Sequence, residues 1–198
     1  GTGQAPLLID VGAERMFSAA IDYLETRSDI DASRIVVQGR SWSGYWAAVL
    51  AYTERDRILG AAVHGVGIHH YYQPEWQKTA ILSSEYLFDL FPARAVVYGV
   101  ETMEEFLAYG PRLSLVARGL IDQPSAPMLL VNGEKDTQQP ISDLYLLMKR
   151  GDPKSVWVNP EGGHMGRSDK WSGVRIREEV VQPWLLRQLG IESVATGD

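Results

Sequence analysis

Residues 39–44 read Gly-Arg-Ser-Trp-Ser-Gly, between an aliphatic run and a run of small and aromatic residues. A serine hydroxyl is a weak nucleophile unless a turn exposes it and a base takes its proton. Gly-x-Ser between a strand and a helix marks a nucleophile elbow, a strained turn that lifts the hydroxyl above the sheet. There it faces a helix N-terminus, where developing negative charge is stabilised. Gly39 and Ser41 fit this pattern, but Ser43 stands at its usual second glycine, with Gly44 following. Taking Ser43 as the nucleophile would put Tyr45 at a position that requires a small residue. Ser41 is therefore the candidate nucleophile, and the plain alternative is a serine that caps an ordinary helix.

A base and an orienting acid are then required, and one recurring chain order is Ser, Asp or Glu, His. The apolar run PMLLVN is followed by GEKD, which puts Asp136 in the loop after a strand. A later run is followed by PEGGH, which puts His164 behind a glycine-rich loop. Sites of open parallel sheets form at the carboxyl ends of the strands, so these three residues converge although far apart in sequence. The rival acids are Glu134, too early in its loop, and Asp143, read as an exposed first-turn residue that stabilises its helix. The backbone N–H of Trp42 is the candidate oxyanion donor.

His64, His69 and His70 invite a metal reading, but no carboxylate accompanies them at ligand spacing and no metal is expected. His69 and His70 either line the pocket near Ser41 or are hydrogen-bonded loop histidines. Trp42, Tyr45 and Trp46 could touch an aromatic substrate, or at helical spacing belong to the core. The opening GTGQAP lacks Gly-Lys-Ser/Thr and is not a phosphate loop. A net charge of −6 with no basic cluster argues against nucleic acid or anionic membrane as partner. With no cysteine, thiolate and disulfide chemistry are excluded. No apolar stretch approaches the roughly 18–20 residues of a membrane span.

These residues must be positioned by alternating strands and helices. A helical stripe runs through Met16, Phe17, Ala20, Ile21 and Leu24. Strands are predicted at 34–38, 59–64, 127–132 and 155–159, the first of them buried. Helices are predicted at 43–52, from Pro140 to Met148, and at 174–189 with a kink at Pro183. About sixty residues between His64 and Pro127 lack a strand and read as short helices over the sheet. Strands separated by helices give an α/β fold: a mostly parallel sheet with helices on both faces. At 198 residues and 45% hydrophobic, the chain can bury one core, assigned to residues 1–192, with a tail at 193–198.

The stretches GRSWSGYWAA, GVGIHHYYQPEW, EYLFDL, EEFLAYGPRLSL, LLVNGEKDTQQPISDL and NPEGGHMGRSDKW together resemble one family. It is that of the α/β-hydrolases related to 2,6-dihydroxypseudooxynicotine hydrolase, most of all the fungal yellowish-green-pigment hydrolases that shorten polyketide chains in melanin synthesis. The resemblance implies carbon–carbon bond hydrolysis in β-dicarbonyl-like substrates by a Ser-Asp-His triad, matched by Ser41, Asp136 and His164. It implies a small aromatic polyketide substrate and no cofactor. Tyr45, His69 and His70 are the candidate substrate contacts on their positions alone, and an intracellular location, cytoplasmic or endosomal, is expected, with a homodimer among the expected assemblies. An esterase or thioesterase with the same triad, and a non-catalytic binding protein, are the alternatives.

One departure from the family pattern carries an expectation of its own. Family members have a helical N-terminal region and an earlier half-sheet, whereas four strands are read here. The loop that supplies a second oxyanion donor has no counterpart, and a strand as apolar as RIVVQ becomes a sheet edge. The chain is accordingly expected to be the C-terminal half of an α/β-hydrolase fold, with the missing N-terminal part as its partner.

Overall fold

In the computed structural model, residues 7–81 and 90–192 are described. GTGQAP, most of EYLFDL and the tail at 193–198 lie outside the described residues. Four strands form one sheet in sequential order: β1 (Val36–Arg40), β2 (Gly60–His64), β3 (Met128–Gly133) and β4 (Ser155–Asn159). Every neighbouring pair is parallel, with Arg40 opposite His64 and His64 opposite Val131.

Parallel strands need crossovers, and here α-helices lie in each of them. Helix α1 (Arg15–Glu25) precedes β1, and Ile21 is its buried contact, with Met16 and Phe17 partly buried. Helix α2 (Trp42–Thr53) follows β1 and is almost wholly buried from Gly44 to Tyr52. Short helices fill the strandless stretch: α3 (Pro74–Ile81), α4 (Leu90–Tyr98) and α5 (Met103–Tyr109). Helix α6 (Ile141–Met148) lies between β3 and β4. Helices α7 (Gly173–Ile176) and α8 (Gln182–Gln188) end the described chain, joined by a π-helical turn at Arg177–Val181.

Strand alternation sorts the core into two layers. Ala61, Val63, Met128 and Leu130 face the layer built with α2 and α6. Ala62, Leu129 and Val131 face Ile176, Val181 and Trp184 from the C-terminal helices. The sheet is covered on both faces, as a parallel sheet requires.

Several predicted boundaries shift for physical reasons. The first strand runs over 36–40, two residues later than expected, because Gly39 continues the strand. It is half-exposed rather than buried, since β1 lies at the edge of the sheet among the described residues. The kink expected at Pro183 takes the form of the wide turn just before it. Proline has no N–H to donate, and its ring clashes with the carbonyl four residues back. No helix of the described residues is long and apolar enough to cross a membrane.

Candidate active site

Ser41 sits between β1 and α2 with φ 54° and ψ −125°, a left-handed backbone unusual for any residue but glycine. Its N–H donates to His64 O at 2.7 Å, continuing the ladder one step past β1. Packing forces this turn. A Cβ on Gly39 would lie 2.0 Å from Ser43 O, and one on Gly44 would lie 2.1 Å from Gly65 O. The two glycines thus let α2 press against β1 and against the end of β2. Ser43 has a role the sequence reading missed. Its hydroxyl accepts the Arg40 N–H and donates to Arg40 O, both at 2.7 Å, and so closes the turn.

The structure brings the three predicted residues together. Ser41 Oγ lies 2.7 Å from His164 Nε2, and His164 Nδ1 lies 2.9 Å from Asp136 Oδ2. A carboxylate only accepts, so Nδ1 carries the proton and Nε2 is free to accept one from the serine. The other oxygen, Asp136 Oδ1, accepts the amides of Gln138 at 2.8 Å and Gln139 at 3.0 Å. Asp136 and His164 are both buried. Trp42 is the first residue of α2, where an amide has no acceptor within its own helix.

The remaining expectations divide. Tyr45, expected to contact substrate, is a core residue that is 1% exposed. Its hydroxyl donates to Leu113 O at 2.8 Å and accepts from Arg118, and burial pushes the phenol up to about 12. Trp46 is likewise core, whereas the Trp42 ring is partly buried and meets Tyr98 edge-on at 6.1 Å. His69 turns to Ser114, whose hydroxyl lies 2.7 Å from Nδ1, and His70 bonds Asp143 Oδ1 at 2.8 Å. Both are hydrogen-bonded loop histidines, His69 partly buried and His70 exposed. No group of three metal-ligating side chains occurs among the described residues.

Asp143 overturns its reading as an exposed helix residue. It is 0% exposed and accepts four backbone amides, those of Ile68, His69, His70 and Tyr71, at 2.7 to 3.1 Å. The loop after β2 turns too sharply to satisfy its own donors, and a carboxylate from α6 serves them instead. Asp143 is thereby committed to this loop and cannot serve His164.

A parallel sheet covered on both faces, with a serine on a strand–helix turn at its carboxyl edge, defines an α/β-hydrolase fold. The chain belongs to the prolyl oligopeptidase family, which matches over residues 15–192. Among solved structures it is similar to 2,6-dihydroxy-pseudo-oxynicotine hydrolase, at 22% identity and a TM-score of 0.72, over 96% of this chain and 50% of that one. It is similar to AbyA5 at 19% identity and 0.69, covering 95% and 52%. It is also similar to acetyl xylan esterase 1 from Thermoanaerobacterium sp. JW/SL YS485, at 15% identity and 0.61, covering 89% and 52%. The chain spans about half the length of each of these structures. Among curated protein sequences, none matches.

Proposed function

We propose that the protein is a serine hydrolase that cleaves a carbon–carbon bond in the side chain of an aromatic polyketide. The observation that carries this reading is the hydrogen-bonded line Asp136–His164–Ser41, at 2.9 and 2.7 Å, ending on a serine held in a left-handed backbone. His164 Nε2 takes the Ser41 proton as Oγ attacks a side-chain ketone carbon. The Trp42 N–H receives the oxyanion, with a second donor from an N-terminal part of the fold. Collapse breaks the carbon–carbon bond, and the aromatic fragment leaves as an enolate or phenolate that takes the proton from His164. Water, deprotonated by the same histidine, then frees Ser41 and releases a short keto acid. A buried carboxylate beside the imidazole stabilises the imidazolium in both halves of this cycle.

The substrate class rests on the motif resemblance to pigment hydrolases, and pigment or other secondary metabolism is the setting proposed with it. The fold itself is shared with an acetyl xylan esterase, so ester hydrolysis by the same residues is the second reading. A panel of aryl β-diketones and simple esters given to the intact protein separates the two. Turnover of the diketones with slow esters supports the proposal, while fast esters with inert diketones overturn it in favour of the esterase.

A further inference from the structure

His64 ends β2 and is 1% exposed, in a strand whose other residues are small or aliphatic. An aliphatic side chain would fill this place without burying polar atoms. His64 is instead bonded on both sides of the candidate site. Its main-chain oxygen accepts the Ser41 N–H at 2.7 Å. Its Nε2 lies 2.8 Å from the carbonyl oxygen of Met165, the residue after His164. A carbonyl only accepts, so Nε2 is the donor and carries the proton. Burial lowers the imidazole below its ordinary value, which favours its neutral form.

Met165 needs holding. It has φ 60° and ψ 25°, and with Ser41 it is one of two non-glycine residues of positive φ among the described residues. Such a backbone persists in a bulky residue only where its surroundings over-determine it. Here the N–H of Met165 donates to Asn132 Oδ1 at 3.0 Å, and its carbonyl accepts from His64. Asn132 is fully buried on β3. Both polar groups of the residue after His164 are therefore pinned to the sheet by side chains.

We infer that His64 is a positioning residue: it ties the strained backbone of Ser41 and the left-handed backbone beside His164 to one point at the end of β2, and so sets the distance between Oγ and Nε2. Asn132 clamps the other side of Met165. This rests on the reading of Ser41 and His164 as nucleophile and base. The side chain of His64 bonds to Met165 and acts through it.

The test uses the intact protein and a fluorophosphonate probe, with the labelling rate and the labelled fraction of Ser41 followed separately. His64→Met removes the donor at similar bulk, and His64→Gln keeps a donor of similar reach. His64→Met is expected to slow labelling by about tenfold to a hundredfold, the scale of a misplacement near one ångström. The labelled fraction should stay complete, and His64→Gln should recover most of the rate. A merely structural loss would lower the fraction and leave the rate of what labels unchanged. Should His64→Met fail to fold, His64→Asn, polar but too short to reach Met165, carries the same expectation. A wild-type rate in the donor-less variant overturns the inference, as does a slow rate that His64→Gln fails to restore. Failure of the wild-type protein to label would instead overturn the nucleophile reading beneath it.

Discussion

Asp136 and His164 meet through a single hydrogen bond, Oδ2 to Nδ1 at 2.9 Å, while Oδ1 is held by the amides of Gln138 and Gln139. The carboxylate cannot rotate without losing both amides, so it fixes which imidazole nitrogen is protonated. In Asp136→Asn the side-chain amide would donate to Nδ1, and the proton would move to Nε2, where no base is then left for Ser41. The rate of turnover should fall by about 10⁴-fold with the fold intact. Steady-state kinetics check this, and near-wild-type turnover would remove Asp136 from the role assigned to it.

The elbow depends on two close approaches between backbones. A methyl group at residue 44 would lie 2.1 Å from Gly65 O, which no side-chain rotation relieves. Gly44→Ala should therefore destabilise the protein by about 1–3 kcal/mol or more, the usual cost of overpacking. Chemical denaturation measures it, and an unchanged midpoint would mean that α2 can shift away from β2 freely.

The first strand, the elbow and the buried acid show how far the sequence could be read. β4 stands at the residues predicted for it, because SVWVN is bounded by clear turn signals. β1 was displaced because Gly39 reads as a strand boundary, whereas it stays in the strand to make room for Ser43 O. Ser41, Asp136 and His164 were legible since each follows a strand at one sheet edge. Asp143 was not: an acid in the first turn of a helix reads as a surface residue, and its four amide partners lie 72 to 75 positions away. Tyr45 stayed open between substrate contact and core, since an aromatic one turn into a helix gives no sign of which face is covered, and the structure places it in the core. His64 carried a signal, a histidine ending an apolar strand, but its partner Met165 becomes visible only in three dimensions.

Removing the Asp143 carboxylate strands the loop after β2. Each buried amide left without an acceptor costs about 1–3 kcal/mol, so Asp143→Ala should lose at least about 3 kcal/mol. Urea unfolding reads this directly. A loss below about 1 kcal/mol would show that water or other groups satisfy the loop when the carboxylate is gone.

Stability should also depend on pH through His64, which is buried, and His69, which is partly buried. Burial lowers both His64 and His69 below the ordinary imidazole value, with the neighbouring His70 adding to the effect on His69. In the unfolded chain each titrates near about 6.5, so below that pH the unfolded state binds more protons than the folded one. Stability is thus expected to fall as pH drops below about 6.5, and His64→Gln should flatten part of that slope. Denaturation midpoints measured across this range check it; an identical slope in wild type and variant would contradict the assignment to His64.

The claim that Ser41 is an activated nucleophile is tested most directly by treating the intact protein with a fluorophosphonate and mapping the adduct by peptide mass spectrometry. The expected result is a single adduct on Ser41, absent in Ser41→Ala and strongly slowed in His164→Ala, with Ser43 unmodified. No adduct on Ser41 under conditions that label other serine hydrolases, or an adduct on Ser43 instead, would contradict it.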